Sequence, residues 1–245
     1  MSRPAEPIHV FIGYDSRQAV LYNVAQHSIV RHCSRPVSIT PIKLDHLRHV
    51  FDRPRVAVQS TEFSFSRFLT PYLRGYRGWA LFMDCDIVVR ADLAELWALR
   101  EDRYAVQCVK HDHQPTSTVK FLGEQQTRYE KKNWTSVMLM NCARCTALTP
   151  DYVNTASGLE LHQFKWLESE DLIGPLPREW NFLVEYYRHD DSAKLLHFTE
   201  GGPYYEATRN VDFSGDWWSE FAIANSSGDS DVQALAEAAS KATSG

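Results

Sequence analysis

Short runs of apolar residues alternate along the chain with segments in which apolar residues recur at helical spacing. The runs predict strands over Ile8–Gly13, Val37–Ile42, Trp79–Val89, Tyr104–Val109, Thr135–Asn141 and Leu195–Phe198. The spaced segments predict helices over Gln18–Arg31, Ser64–Leu73, Asp92–Leu99 and Leu161–Leu167. Strands that alternate with helices in this way are typical of an α/β fold, in which helices flank a central sheet.

Two acidic residues, Asp84 and Asp86, interrupt the apolar run Trp79–Val89. Such a run predicts a strand buried on both faces, as in a parallel sheet, where bare carboxylates are costly unless something binds them. A divalent cation with oxygen ligands is the expected partner, and ligands of open α/β sheets lie beyond the carboxyl ends of strands. The pattern predicts a metal-bridged site for a nucleotide sugar. The alternative is that both aspartates are ordinary turn residues between two strands.

The composition excludes some classes of protein. The chain has 245 residues, of which 44% are hydrophobic and 23% charged, as in ordinary globular proteins. A formal net charge of −5 argues against a nucleic-acid partner bound by electrostatics. No stretch approaches the roughly eighteen consecutive apolar residues of a membrane-spanning helix, and the N-terminus has no signal-peptide core. We therefore expect a cytoplasmic protein without a transmembrane segment.

The length fits one large α/β domain, which we place at residues 8–222. Residues 1–7 form an N-terminal extension to it. Residues 223–245 are rich in Ser, Gly, Asp and Ala, which predicts a loosely ordered C-terminal tail with a short helix over Val232–Ala242.

Five cysteines occur along the chain, and Cys142 and Cys145 have the C-x-x-C spacing found in redox and zinc sites. No second pair of Cys or His follows at the spacing of a zinc finger. Free thiols are therefore the favoured interpretation.

A strand, a glycine turn and a helix open the chain, as in a nucleotide-binding unit. The turn, Gly13-Tyr14-Asp15, belongs to neither a Gly-x-Gly-x-x-Gly fingerprint nor a Walker motif with its lysine. Tyr14 could stack on a base, and Asp15 could accept a hydrogen bond from a ribose or base. Alternatively, Asp15 simply caps the helix that follows.

Other single residues are candidates for binding. Arg67 lies among aromatic residues, where it could bind a diphosphate or the first aspartate, unless it is a surface arginine. Gly201 and Gly202 would allow close approach of the backbone to a ligand and would offer N–H groups to a phosphate. His111 and His113 lie on a polar segment, predicted to be a long mobile loop, and are interpreted as solvated rather than as metal ligands.

Several segments stand in the order of the motifs of a known family: Phe65–Phe68, Met83–Val89 with Leu93, Leu96 and Trp97, Thr135–Asn141, Leu176–Asn181, and His197. In these segments the chain resembles the GT-A glycosyltransferases of family 8, which include bacterial lipopolysaccharide galactosyl- and glucosyltransferases and glycogenin. The resemblance covers residues 8–205.

The resemblance implies a single GT-A (Rossmann-like) domain with a mixed, mostly parallel central sheet flanked by helices. It implies retaining transfer of a hexose from a nucleotide sugar, most often UDP-linked, to a glycan, a glycolipid or another hydroxyl acceptor. Mn²⁺ or Mg²⁺ would be held by Asp84, Asp86 and His197. The residues implied in donor binding are Gly13, Tyr14, Asp15, Arg67, Asp84, Asn181, Gly201 and Gly202.

The chain departs from the family pattern in places. The Asp-Gln-Asp of the family corresponds to Ser169-Glu170-Asp171, so that Glu170 stands where the family has Gln. Glu170 could stabilise an oxocarbenium-like transition state or act as a nucleophile, and Asp171 could bind hydroxyl groups of the sugar or acceptor. The alternative is a solvated acidic turn. The phosphate-binding lysine of the C-terminal family motif is missing, and Trp134-Thr-Ser136 replaces an Asn-Ser-Gly.

Two other functions compete with this interpretation. A nucleotidyltransferase would carry a Gly-rich N-terminal loop with Arg and Lys, which Gly13–Arg17 lacks. A non-catalytic binding module would use the acidic pair structurally and would bind no nucleotide through a metal. The aromatic Trp217-Trp218 could form a peripheral contact with the inner face of the membrane, although core packing is the favoured interpretation.

Overall fold

The computed structural model describes residues 6–54, 59–112 and 130–226. The strands are β1 (Ile8–Gly13), β2 (Val37–Ile42), β3 (Trp79–Met83), β4 (Ile87–Val89), β5 (Val106–Cys108), β6 (Val137–Asn141), β7 (Ile173–Pro175), β8 (Phe182–Leu183) and β9 (Leu195–His197). The helices are α1 (Ala19–His32), α2 (Thr70–Leu73), α3 (Leu93–Ala98), α4 (Pro150–Thr155), α5 (Gly158–His162) and α6 (Ser214–Ala224). Within the described ranges, no helix combines the length and apolar character needed to cross a membrane.

The main sheet has six strands in the order β2-β1-β3-β6-β5-β7. β1 pairs in parallel with β2 and β3, and β5 pairs in parallel with β7. β6 runs antiparallel to both of its neighbours, β3 and β5. The sheet is therefore mixed and mostly parallel, with helices beside it, which confirms the predicted fold class.

A second, three-stranded sheet has the order β4-β9-β8. β4 pairs antiparallel with β9, and β8 pairs in parallel with β9. The prediction of a single strand over Trp79–Val89 is wrong, because β3 belongs to the main sheet and β4 to this second one. The chain passes from one sheet to the other at Asp84–Asp86, so that both aspartates lie at the junction between the two sheets.

Two apolar clusters hold these layers together. The larger one packs on the main sheet, and its members include Ile12, Ile29, Phe82 and Leu139. The smaller one lies between α1, α6 and the second sheet, and its members include Leu21, Val24, Val88, Phe182, Leu196 and Trp217. Because α1 contributes to both clusters, it fixes the second sheet beside the main one.

The C-terminal helix α6 packs against α1. Trp217 is only 1% exposed and Trp218 is half-buried, which confirms core packing as the use of Trp217. The helix continues to Ala224, past the predicted domain end at residue 222. The predicted tail helix over Val232–Ala242 lies outside the described residues, and the predicted domain boundaries stay predictions.

Helix ends follow local capping. Asp92 caps α3 by accepting a hydrogen bond from the N–H of Ala94, as its position in the sequence predicted. The prediction of a helix over Leu161–Leu167 is wrong in its bounds. Ser157 and Glu160 form a capping box that starts α5 earlier, and Phe164 has a left-handed φ of 59°, which ends helical geometry beyond His162.

Candidate metal and donor site

Three side chains that can bind a metal converge where the two sheets meet. Asp84 follows β3, Asp86 precedes β4, and His197 ends β9. The antiparallel register sets His197 opposite Ile87, and the N–H of Phe198 donates to the carbonyl of Asp86 at 2.9 Å. One ligand atom from each of the three side chains lies within 4.8 Å of the other two.

The donor set has the chemistry of a divalent cation site. Two carboxylates and one imidazole suit Mn²⁺, and the carboxylates alone would also suit Mg²⁺. His197 is 2% exposed and Asp86 is 9% exposed, and His197 Nε2 lies 3.3 Å from Asp86 Oδ1. The residues present therefore fit the cation that the sequence predicted, although the identity of a metal does not follow from them.

Arg67 is buried against the first aspartate. One guanidinium nitrogen lies 2.8 Å from Asp84 Oδ1 and donates to the carbonyl of Thr135 at 2.9 Å. The guanidinium also lies 5.2 Å from the ring centres of Phe63 and Phe82. Arg67 is only 6% exposed, which excludes the alternative of a surface arginine. The aromatic neighbours in the sequence were therefore a sign of burial.

Asn181 lies next to His197, immediately before β8. Its Oδ1 is 2.9 Å from His197 Nδ1, and its Nδ2 is 2.9 Å from both Ser136 Oγ and His111 Nε2. Asn181 is fully buried. The amide is thus engaged by protein groups on both sides, and its predicted contact with a donor stays a prediction.

His111 is buried, so its interpretation as a solvated histidine is wrong. The ring is 6% exposed, contacts Asn181 and lies 2.6 Å through Nδ1 from the hydroxyl of Tyr187. The polar sequence around it concealed this burial, because its partners come from the distant segment 181–187. His113 lies outside the described residues.

The N-terminal turn shows how Asp15 is used. Its carboxylate accepts hydrogen bonds from the backbone N–H and guanidinium of Arg17 and from the N–H of Glu62. Although burial raises the pKa of Asp15, these hydrogen bonds lower it below its usual value. Asp15 therefore caps the turn that leads into α1, as the simpler alternative predicted. Tyr14 is half-buried and packs edge-on against Tyr22.

The glycines of the predicted donor site are also used by the fold. A Cβ at residue 13 would lie 2.3 Å from the ring of Phe63, so only glycine fits there. Gly201 adopts a φ of 114°, a conformation that side chains disfavour. Gly202 is buried, and a Cβ on it would lie 2.5 Å from a methyl carbon of Leu21. Packing and backbone conformation thus explain these glycines without a ligand, and their roles in donor binding stay predictions.

Glu170 and Asp171 lie on an exposed turn after α5. The side chain of Glu170 is 72% exposed and pairs with Lys131 Nζ. The hydrogen bond and positive charge of Lys131 lower the pKa of Glu170. Asp171 contacts the hydroxyl of Ser169. The turn is solvated, as its alternative interpretation expected, and the catalytic roles of both acids stay predictions.

Tyr187, Lys132 and His162 lie near the site although the sequence did not single them out, and Ser136 was noted there only as a departure from the family motif. Lys132 is 9% exposed, and His162 Nδ1 lies 2.7 Å from Thr135 Oγ1. Burial, together with the charges of Arg67 and Lys132, lowers the pKa of His162 well below its ordinary value. A signal for Ser136 was its place just before the apolar strand β6, whereas nothing local marked the others.

Similarity to known proteins agrees with this geometry. The family model described as Glycosyl transferase family 8 matches residues 37–202. Protein CDI of Arabidopsis thaliana is 44% identical over an alignment of 228 residues, and the match covers 89% of this chain and 88% of that protein. The chain belongs to glycosyltransferase family 8. The enzyme class predicted from the sequence is thereby confirmed at the level of the family.

Solved structures of glycosyltransferases share the family 8 fold. The bifunctional glycosyltransferase WbbM has a TM-score of 0.63 at 16% identity, and the match covers 96% of this chain and 53% of WbbM. GlyE of Streptococcus pneumoniae TIGR4 has a TM-score of 0.60 at 15% identity over 97% of this chain and 64% of GlyE. The chain thus spans about half of WbbM and less than two thirds of GlyE.

A third structure matches nearly end to end. The galactosyltransferase LgtC, solved with donor and acceptor sugar analogs, has a TM-score of 0.57 at 11% identity over 91% of this chain and 98% of LgtC. At these identities, the three structures establish a shared fold and nothing finer. The donor, the acceptor and the metal of this family 8 member have to be argued from its own residues.

Proposed function

We propose that the protein is a metal-dependent glycosyltransferase that moves a hexose from a UDP-linked sugar to a hydroxyl of a glycan or glycolipid, with retention of configuration. The observation that carries this proposal is the convergence of Asp84, Asp86 and His197, whose ligand atoms lie within 4.8 Å of one another. Because these residues come from three strand ends in two sheets, the cluster does not follow from local sequence. A donor diphosphate held by a divalent cation is what such a cluster serves in this family.

A Mn²⁺ or Mg²⁺ ion bound there would neutralise negative charge on the leaving nucleoside diphosphate. Asp84, Asp86 and His197 would hold the ion. Arg67 fixes the carboxylate of Asp84 through its 2.8 Å contact, so the ligand is oriented before a donor arrives. The charges of Arg67 and of the buried Lys132 both lower the pKa of His162. In our proposal Lys132 would supply a positive charge in place of the missing family lysine.

We assign the nucleoside side of the donor to the turn after β1. Tyr14 would stack on the base, while Gly13 and Asp15 shape the turn around the ribose. The Gly201-Gly202 segment would offer backbone N–H groups to the diphosphate. Two placements support this assignment: Ile12, just before the turn, pairs with Met83, just before Asp84, and Gly201 follows His197 by four residues. Asn181, predicted as a donor contact, reaches this site through His197.

We assign the sugar side to the acidic turn. Glu170 would stabilise positive charge at the anomeric carbon or attack it, and Asp171 would bind hydroxyl groups of the sugar or the acceptor. The ion pair between Glu170 and Lys131 supports this, because Lys131 is nearly buried and Asn133, two residues on, touches Asn181. The turn is thereby tied to the segment that lines the candidate metal site.

A cytoplasmic location is part of the proposal, with peripheral contact at the inner face of the membrane for a lipid-linked acceptor. All five cysteines are free, and Cys142 and Cys145 are buried without forming a disulfide, as expected in a reducing compartment. Burial raises the pKa of Cys142 to about 12, so this thiol stays protonated and unreactive. Flotation with vesicles of anionic and neutral lipid would test the membrane contact.

Calorimetric titration of UDP tests the central claim. We expect binding in the presence of Mn²⁺, loss of binding with excess chelator, and loss in Asp86→Ala at any Mn²⁺ concentration. A positive result would be followed by a screen of UDP-sugars, with release of UDP as the readout. Binding that ignores both the chelator and Asp86→Ala would overturn the metal-dependent mechanism. Absence of binding for UDP, GDP and CDP alike would instead indicate a non-catalytic domain.

A further inference from the structure

We propose that Ser136, Asn181 and His111 form a hydrogen-bonded chain that holds His197 in one tautomer, with the lone pair of Nε2 facing the candidate metal position. Asn181 and His111 are then positioning residues. The inference deepens the proposed function, since it rests on His197 being a metal ligand, but the tautomer itself is a property of the protein without metal.

Ser136 sets the direction of the chain. Its Oγ donates to the carbonyl of Asn133 at 2.6 Å, so its hydroxyl proton is already used. Ser136 can therefore only accept from the amide of Asn181, which lies 2.9 Å away. This identifies the group that faces Ser136 as the NH₂ of Asn181 rather than its oxygen.

The orientation of Asn181 decides the tautomer of His197. With NH₂ facing Ser136, the Oδ1 of Asn181 faces His197 Nδ1 at 2.9 Å and can only accept. His197 must therefore carry its proton on Nδ1, which leaves the lone pair of the neutral ring on Nε2. That nitrogen lies 3.3 Å from Asp86 Oδ1, inside the cluster of ligand atoms. A metal-binding histidine needs this arrangement.

His111 extends the chain on the other side. The second N–H of Asn181 points to His111 Nε2 at 2.9 Å, which must accept, so His111 also carries its proton on Nδ1. That proton is donated to the hydroxyl of Tyr187 at 2.6 Å, and the two rings stack with centres 6.0 Å apart. One sequence of donors and acceptors thus runs from Tyr187 to His197.

Burial makes the alternative orientation costly. Asn181, Ser136 and His111 are 0%, 2% and 6% exposed. Because Ser136 already donates its hydroxyl proton to Asn133, a flipped amide would set its oxygen against the lone pairs of Ser136, and both histidine rings would have to exchange tautomers to match it. The mismatch at Ser136 would leave buried polar groups without a hydrogen bond, which costs stability. The amide therefore has one favourable orientation.

The first test is the tautomer of His197 in the metal-free protein. We expect ¹⁵N spectra of histidine-labelled protein, recorded at a pH where imidazole is neutral, to show the Nδ1–H form in the wild type. In Asn181→Ala, that preference should be lost. Asn154→Ala removes an amide whose partners are Val50 and Asp52, and it should leave His197 unchanged. A wild-type His197 in the Nε2–H form would overturn the inference.

The second test is Mn²⁺ affinity, measured by the paramagnetic resonance of free Mn²⁺. Loss of a group that orients a metal-binding histidine typically weakens affinity by about 10- to 100-fold, and we expect this for Asn181→Ala. His111→Leu should also weaken binding, whereas His111→Gln, which keeps an acceptor for the Asn181 amide, should largely restore it. Equal affinity in wild type, Asn181→Ala and His111→Leu would overturn the inference.

The two tests separate this inference from the proposed function. A wild type that has the Nδ1–H tautomer but binds no Mn²⁺ would contradict the proposed function, while the chain of hydrogen bonds would stand. If the wild type, Asn181→Ala and His111→Leu all bind Mn²⁺ with the same affinity, the role of the hydrogen-bonded chain would be contradicted, while the proposed metal site would stand. If Asn181→Ala does not fold, the comparison of His111→Leu with His111→Gln still tests the inference, because glutamine conserves the polarity and approximate volume of the histidine.

Discussion

Asp84 and Asp86 on one side, and Glu170 and Asp171 on the other, are two acidic pairs that the fold treats differently. The side chains of Asp84 and Asp86 are 13% and 12% exposed, beside Arg67 and His197. The side chain of Glu170 is 72% exposed and has one ion pair, with Lys131. The first pair interrupts buried strands, so the fold has to supply partners for it. The second pair lies in a polar turn, where water is an adequate partner.

The comparison indicates which acidic side chains are positioned by the fold before a ligand binds. The first pair has its geometry set by strand register and by a buried arginine, so it suits a metal and a diphosphate. The second pair lies on an exposed turn, where Glu170 pairs with Lys131 and Asp171 contacts Ser169, so the role proposed for it would begin only when the sugar and acceptor are bound. Four variants, taken in order of decreasing expected effect, test this distinction.

Asp86→Asn should have the largest effect. Loss of one carboxylate ligand would weaken the binding of the cation that neutralises the leaving group, and we expect turnover to fall about 10³-fold. The fold should survive, because the isosteric amide keeps the shape of the carboxylate. The measurement is UDP release from a UDP-sugar with Mn²⁺, with Asp151→Asn, an exposed acid on α4, as control. Turnover within threefold of the wild type would contradict the role of the first pair.

Glu170→Gln should lower turnover about 10²-fold, because the neutral amide stabilises positive charge at the anomeric carbon less well than the carboxylate that this chain would use. The expected change is in kcat, with KM for the donor little altered. Glu168→Gln, the exposed acid two residues earlier, is the matched control. If Glu170→Gln and Glu168→Gln both behave like the wild type, Glu170 and Asp171 form only a solvated turn. Of the two acidic pairs, only Asp84 and Asp86 would then have a role in activity.

Arg67→Lys should lower the free energy of unfolding by about 1–3 kcal/mol. Lysine keeps the charge, but its side chain ends one atom short of the nitrogen that contacts both Asp84 and the carbonyl of Thr135, and it lacks the planar group that lies near Phe63 and Phe82. Urea unfolding measures the change, with the exposed Arg77→Lys as control. An unchanged midpoint and slope of the urea transition would show that the stability of the region around Asp84 and Asp86 does not depend on Arg67.

His162→Gln should have the smallest effect, and only in acid. The folded protein holds the pKa of His162 well below 6.5, so the unfolded chain binds more protons as the pH falls through that value. The wild type should therefore lose unfolding free energy by at most about 1.4 kcal/mol per pH unit below this point.

The variant should lose less stability than the wild type over the same range, and the exposed His49→Gln should match the wild type. If the free energy of unfolding depends on pH equally in the wild type and His162→Gln, then burial beside Arg67 and Lys132 does not keep the ring of His162 neutral.

Much of the fold followed from local sequence. Apolar runs marked β1, β2, β5, β6 and β9 to within a few residues, because strand burial is written into consecutive side chains. The run at Trp79–Val89 predicted burial correctly but not the change of sheet at Asp84–Asp86, since periodicity carries no information about which sheet a strand joins. Helix α5 was misplaced because its capping box lay ahead of the apolar residues.

Residue types within short segments were enough to predict the family, the α/β fold and the burial of the carboxylate pair Asp84 and Asp86. The burial of His111 and the contact between Asn181 and His197 follow only from the packing of distant segments. His111 and Asn181 are 70 residues apart, and their hydrogen bond exists because the segment after β5 and the segment before β8 lie together in the fold. Hydrogen-bond partners of this kind are chosen by distance in space, which a linear pattern of polar and apolar residues does not encode.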